Sequence, residues 1–199
     1  MKSMSEKVDC GVAPIDELPV CPDLGCRFHG IRLNVSDRLW NTALGSSLME
    51  RVIASWFGSG LILGRIRGSD SGSGTLASLI TLPIALWVGS NFGWEGQLAA
   101  AGILILASYW ASRRLVESEG DAGWIVIDEA AGTFVATIDL TLAPALVASF
   151  VVFRAADIFK VPGVKEAERL KGALGVTADD VVAGIYGLAL GHLLQLTVL

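Results

Sequence analysis

The stretch Ser71–Trp94, SGSGTLASLITLPIALWVGSNFGW, runs for 24 residues without a charged side chain. A helix crossing the hydrocarbon core of a bilayer needs about 20 apolar residues, so this run is long enough to span. Three further charge-free runs follow at 96–112, 140–153 and 181–199, with 17, 14 and 19 residues. The stretch Ala122–Ile138 has the length of a span but carries Asp128 and Glu129. Each carboxylate costs about 2.5–3.5 kcal/mol at a bilayer centre, which places the pair near an interface or facing a polar interior. The run Val52–Gly64, 13 residues, is too short to span and reads as an interfacial or re-entrant helix. The expected fold class is therefore all-α: a polytopic membrane helix bundle with about five spans and a short interfacial or re-entrant helix, occupying residues 46–199.

Composition agrees with that expectation. Of 199 residues, 52% are hydrophobic and 18% charged, against about 25% charged in ordinary soluble domains, and the mean hydropathy is +0.57. A disordered chain is excluded. A net charge of −5, with no cluster of Lys and Arg to neutralise phosphates, excludes a nucleic-acid binder. Residues 1–45 differ from the rest: both charge signs mix with Pro14, Pro19 and Pro22 without helical period, which predicts a soluble, largely irregular extension. No apolar core follows its early Lys residues, so no cleavable signal is expected there. Cys10, Cys21 and Cys26 all fall in this extension at spacings that match no zinc pattern, with only His29 nearby, and are expected to be reduced, unligated thiols.

Basic residues flank alternate loops. Arg51, Arg65 and Arg67 precede the first run, Arg113 and Arg114 follow the second, and Arg154, Lys160, Lys165, Arg169 and Lys171 follow the fourth. The turns Gly89–Gly96 and Asp139–Pro144 have none. The positive-inside rule then sets the amino terminus in the cytoplasm and the carboxy terminus outside, and collects Asp128, Glu129, Asp157, Asp179 and Asp180 on the cytoplasmic face.

Three blocks carry chemistry. In WIVIDEAAG, Trp124–Gly132, adjacent carboxylates lie in an apolar setting where they repel each other unless a cation joins them. A hard divalent ion with oxygen ligands meets that need; a helix cap or satisfied polar pair is the plainer alternative. In FRAADIFKVP, Phe153–Pro162, Arg154, Asp157 and Lys160 recur every three residues on one helix face, as a salt-bridge ladder at a membrane boundary or as a site holding a metal through Asp157 and a phosphate through the two cations. In KGALGVTADDVVAGIYG, Lys171–Gly187, Thr177 is placed to cap a helix starting near Asp179, where helix-dipole stabilisation alone would suit the two acids. A small-residue stripe, Gly184, Gly187 and Gly191, continues from Asp180 and predicts close helix packing.

Together with FGSG at Phe57–Gly60 and SGTLASLITLP at Ser73–Pro83, these motifs resemble the phosphatidylglycerophosphatase A family in order and spacing over about residues 47–195. The resemblance implies a bacterial inner-membrane phosphatase that uses Mg²⁺ and converts phosphatidylglycerophosphate to phosphatidylglycerol. It implies metal-holding roles for Asp128, Glu129, Asp157, Asp179 and Asp180, phosphate contacts for Arg154 and Lys160, and catalytic roles centred on Asp128, Asp157, Lys160 and Asp180. The chain departs from the family pattern at Ser73-Gly74-Thr75, usually Pro-Gly-Thr, and at Lys160–Val164, usually Lys-Pro-x-Pro-Ile. The Gly72–Thr75 loop opens a helix whose N–H groups, with Thr75, suit an anion. His192 lies deep in the last run and reads as a packing residue. A divalent-cation transporter or a non-catalytic membrane assembly protein are the alternatives. The first needs polar groups continuing across the bilayer, where the outer half offers only Asp139 and a few hydroxyls.

Overall fold

A computed structural model describes residues 48–199 except 70, 121 and 199; the expected extension at 1–45, with its three cysteines and His29, lies outside the described residues. The described residues form seven helices and no strand: α1 (Leu48–Ala54), α2 (Ser59–Arg67), α3 (Ser73–Glu119), α4 (Ile127–Ala136), α5 (Ala143–Phe159), α6 (Val164–Glu168) and α7 (Ala173–Val198).

The deciding stretch is the first arm of α3. At Gly93 the backbone turns to φ 68° and ψ −170°, which a residue with a side chain rarely adopts, and the helix folds back on itself. Gln97 on the returning arm donates to the Ala85 carbonyl at 3.2 Å, and Gly89 leaves room for its amide. The runs at 71–94 and 96–112 are thus two arms of one hairpin.

Two helical stretches, Ser73–Ser118 and Ala173–Thr197, are long and apolar enough to cross a membrane. Five spans are not borne out at this level. The expected third span is α4, only 10 residues or about 15 Å, with every residue but Glu129 buried. Its run Ala130-Ala131-Gly132 lets neighbours approach from several sides, so its apolar character reflects burial in protein. The stretch expected to form one interfacial helix is two, α1 and α2, separated by a turn in which Trp56, Phe57 and Gly58 all take positive φ.

Helix α4 packs against α3 and α7, and α7 lies along α5. The small-residue stripe makes this possible. A Cβ at Gly184 would stand 2.7 Å from the Gly132 carbonyl oxygen, and one at Gly132 would stand 2.8 Å from the Asp180 carbonyl oxygen. The two backbones therefore touch, as in small-residue helix contacts of membrane proteins, and this draws Asp128 toward Asp180. Gly184→Val is expected to destabilise the fold by about 1–3 kcal/mol through overpacking against an unyielding backbone. Ile185→Val, at a half-exposed neighbour, should be near neutral when both are unfolded in detergent.

The turn after α4 is held by side chains. Gln97 donates to the Thr137 carbonyl and accepts from the Asp139 N–H at 2.9 Å. Gln195 accepts from the Thr141 N–H at 2.8 Å and donates to the Asp139 carbonyl at 3.1 Å. His192 Nε2 lies 3.1 Å from the Ile138 carbonyl, a packing role about 18 Å along α7 from Asp180. The backbone groups freed where a helix ends need such partners.

Candidate active site

The first turn of α4, the C-terminal end of α5 and the second turn of α7 meet at the other end of the bundle. Asp128 and Glu129 stand in the first turn of α4, Arg154 and Asp157 toward the end of α5, Lys160 at its C-cap, and Asp179 and Asp180 on α7. Asp128, Glu129, Asp157, Lys160, Asp179 and Asp180 all line one cavity of about 240 Å³. Convergence of the three sequence blocks is thus a feature of the fold.

Helix α7 begins at Ala173, six residues before Asp179, and not near Asp179 as expected. Thr177 is inside the helix and its hydroxyl hydrogen-bonds Ser108 of α3 at 2.8 Å. Because the helix dipole acts within the first turn, it does not account for Asp179 and Asp180.

The expected ladder forms and extends beyond α5. Asp157 Oδ2 lies 3.0 Å from Arg154 Nη1, and its Oδ1 lies 3.0 Å from Lys160 Nζ. Lys160 also donates to Asp179 Oδ2 at 2.6 Å, and Arg154 Nη1 lies 4.0 Å from Asp180 Oδ1. Burial works against the Lys160 charge, but hydrogen bonds and charge from Asp179 and Asp157 outweigh it and hold the ammonium above the usual lysine range. Lys160 takes a left-handed φ of 48°, a conformation that costs a side-chain residue roughly 1–2 kcal/mol and is held here by two carboxylates.

The acids divide by what their oxygens do. Asp157 uses both on the cations; Asp179 gives Oδ2 to Lys160 and Oδ1 to the Asp180 N–H at 2.9 Å. By contrast, Glu129 Oε2 and Asp180 Oδ1 are buried with no hydrogen-bond partner among the described residues. One carboxylate oxygen from each of Asp128, Glu129 and Asp180 falls within 4.8 Å of the other two. Such a group is unstable without a positive charge, and all-oxygen donors suit a hard divalent cation.

Thr75 and Gly74 bring the start of α3 to the site's edge. Arg154 Nη2 donates to Thr75 Oγ1 at 3.4 Å. A Cβ at Gly74 would collide with Glu129 Oε1 and stand 3.1 Å from Arg154 Nη2, so both side chains lie directly over this glycine. Sequence reasoning missed that role. The Gly72-x-Gly74 pair was the available signal, and it reads equally as a flexible loop. Gly74→Ala is expected to reduce turnover about tenfold or more by moving Glu129, because about 1 Å of misplacement in a preorganised site is that damaging. Gly72→Ala, adjoining it, meets only a methyl group at 3.6 Å but is strained by its φ of 88°, so protein yield and unfolding should be compared alongside turnover.

The sequence model of the phosphatidylglycerophosphatase A family matches residues 52–195. A Bacteroides thetaiotaomicron protein provisionally named a phosphatidylinositol-3-phosphatase is 31% identical over 158 residues, covering 72% of this chain and 92% of that protein. No solved structure matches.

Proposed function

The chain belongs to the phosphatidylglycerophosphatase A family, which makes it a membrane-associated lipid phosphatase, and on that premise we propose that it hydrolyses phosphatidylglycerophosphate to phosphatidylglycerol with Mg²⁺. The observation that carries this reading is the pairing of carboxylates that have unpartnered oxygens with two cations, Lys160 lining the same cavity and Arg154 set against its walls at Asp157 and Asp180. The first set suits a metal and the second suits a phosphate. The proposed setting is a multi-pass protein of the bacterial inner membrane with the site facing the cytoplasm, consistent with the basic loops.

Phosphate monoesters are among the slowest compounds to hydrolyse uncatalysed, so charge stabilisation must supply most of the acceleration. Asp128, Glu129 and Asp180 would hold the Mg²⁺. When bound it supplies Lewis-acid polarisation of phosphoryl oxygen and lowers the pKa of water. Arg154, with its fork of donors, and Lys160 bind and neutralise the phosphoryl oxygens. Lys160 keeps its proton and acts as a fixed charge. Thr75 orients Arg154, and Asp157 sets the distance between the two cations. In the proposed reaction a water oxygen attacks phosphorus and the phosphorus–ester oxygen bond breaks. The lipid oxygen leaves as the alcohol, carrying a proton that originates from the attacking water, while the water oxygen stays on the released phosphate. Trapping an acid-stable protein-bound phosphate during turnover would contradict direct attack by water.

The relative's name raises a second substrate, a phosphoinositide 3-monoester. Both lipids present a monoester phosphate at head-group depth. Phosphate release by the purified full chain from each lipid in mixed micelles separates them. The proposal expects faster release from phosphatidylglycerophosphate; faster release from the phosphoinositide would reassign the substrate. Metal flux into liposomes without phosphate release would favour the transporter.

A further inference from the structure

Many phosphatases clamp the phosphoryl group between two divalent ions about 3.5–4 Å apart, and five carboxylates in one cavity are enough to hold two. We propose that this site takes a single divalent ion, held by Asp128, Glu129 and Asp180, and that the Lys160 ammonium permanently fills the place of the second. The inference rests on the metal-dependent phosphatase reading and specifies how the charge of that site is built.

Three observations carry it. First, the acids fall into two groups. Asp157 and Asp179 have both oxygens engaged, whereas Glu129 Oε2 and Asp180 Oδ1 are buried without hydrogen-bond partners among the described residues. The second group, with an Asp128 oxygen within 4.8 Å of both, offers the donors for an ion, and Asp180 Oδ1 has only the more distant Arg154 Nη1 at 4.0 Å. Second, Lys160 Nζ stands between Asp157 and Asp179, at 3.0 and 2.6 Å, bridging acids from α5 and α7 as a bridging cation would. Third, Arg154 joins the two groups, reaching Asp157 at 3.0 Å and Asp180 at 4.0 Å, so both belong to one electrostatic unit. A second divalent ion would have to displace an ammonium that both carboxylates hold firmly. With Arg154, the arrangement gives three positive centres for one phosphoryl group, of which only the divalent ion exchanges with solution.

The test uses metal-stripped full-length protein in detergent, titrated with Mn²⁺ and followed by equilibrium binding and electron paramagnetic resonance. Wild type is expected to saturate at one Mn²⁺ per chain with an uncoupled spectrum. Lys160→Met frees Asp157 and Asp179 and is expected to bind a second Mn²⁺, with spin coupling between the two; Lys160→Arg should remain at one. Two coupled ions in wild type would overturn the inference while leaving the metal-dependent reading intact. A single ion in folded Lys160→Met would also overturn it. Absence of any Mn²⁺ binding in wild type would remove the metal from the proposed function and this inference with it. Two coupled ions in wild type overturn the inference even if Lys160→Met does not fold.

Discussion

Asp180→Asn is expected to lower kcat/KM on the lipid phosphate by about 10³-fold, ~4 kcal/mol of transition-state stabilisation, with the protein still inserted and folded. Asp180 is 3% exposed, and one of its oxygens has no hydrogen-bond partner among the described residues. Asn keeps the shape and removes the charge, so the backbone contact of α7 with α4 at Gly132 and Gly184 should survive. What is lost is one of three anionic donors. Asp128→Asn is expected to act similarly, for the same reason. The loss should appear in kcat more than in KM, since the site's charge is aimed at the reacting phosphoryl group. Near-normal turnover in both variants, measured as phosphate release, would remove the metal role assigned to them.

Arg154→Met is the second large expected effect, and it falls on stability as well as on rate. Arg154 is 9% exposed and faces Asp157 and Asp180. Removing one partner from a buried ion pair typically costs about 3–5 kcal/mol, because the remaining charge is left uncompensated. Adding Asp157→Asn to Arg154→Met should recover part of that stability and none of the activity. The double variant therefore separates the structural role of the guanidinium from its role toward phosphate. Unfolding in detergent and phosphate release on the same preparations provide the check; equal stability of Arg154→Met and wild type would contradict the buried pairing.

Much of this site was legible in the sequence because its residues come in short blocks. Adjacent acids at 128–129 and 179–180, and the three-residue spacing of Arg154, Asp157 and Lys160, survive as neighbours in any helix. The hairpin of α3 was legible too, since Glu95 separates two charge-free runs and Gly93 permits the reversal. Three features were not. Hydrophobic content alone does not distinguish a helix wrapped in protein from one wrapped in lipid, and so α4 reads as a span although it has 10 residues. The start of α7 at Ala173 was hidden by Gly172, Gly175 and Thr177, which suggest a loop and a cap; the hydrogen bond of Thr177 to Ser108 instead fixes that turn against α3. The division of the five acids depends on which oxygens meet which cations. That pairing across α5 and α7 has no signature in either segment alone.

The small-residue stripe links these levels. Glycines at 132 and 184 bring two backbones into contact, contact brings Asp128 toward Asp180, and the shared cavity follows. Fold and chemistry thus depend on the same few positions, and the effect of Gly184→Val on stability and the effect of Gly74→Ala on turnover test different links in that chain.

The most direct measurement is phosphate release from phosphatidylglycerophosphate by the purified full chain, first stripped of divalent ions and then resupplied with Mg²⁺. The account predicts negligible release after stripping, recovery on adding Mg²⁺, and no recovery in Asp128→Asn or Asp180→Asn. Release that persists undiminished after stripping, or recovery that is equal in the two variants, would contradict a centre built by acids from separate helices around a bound ion.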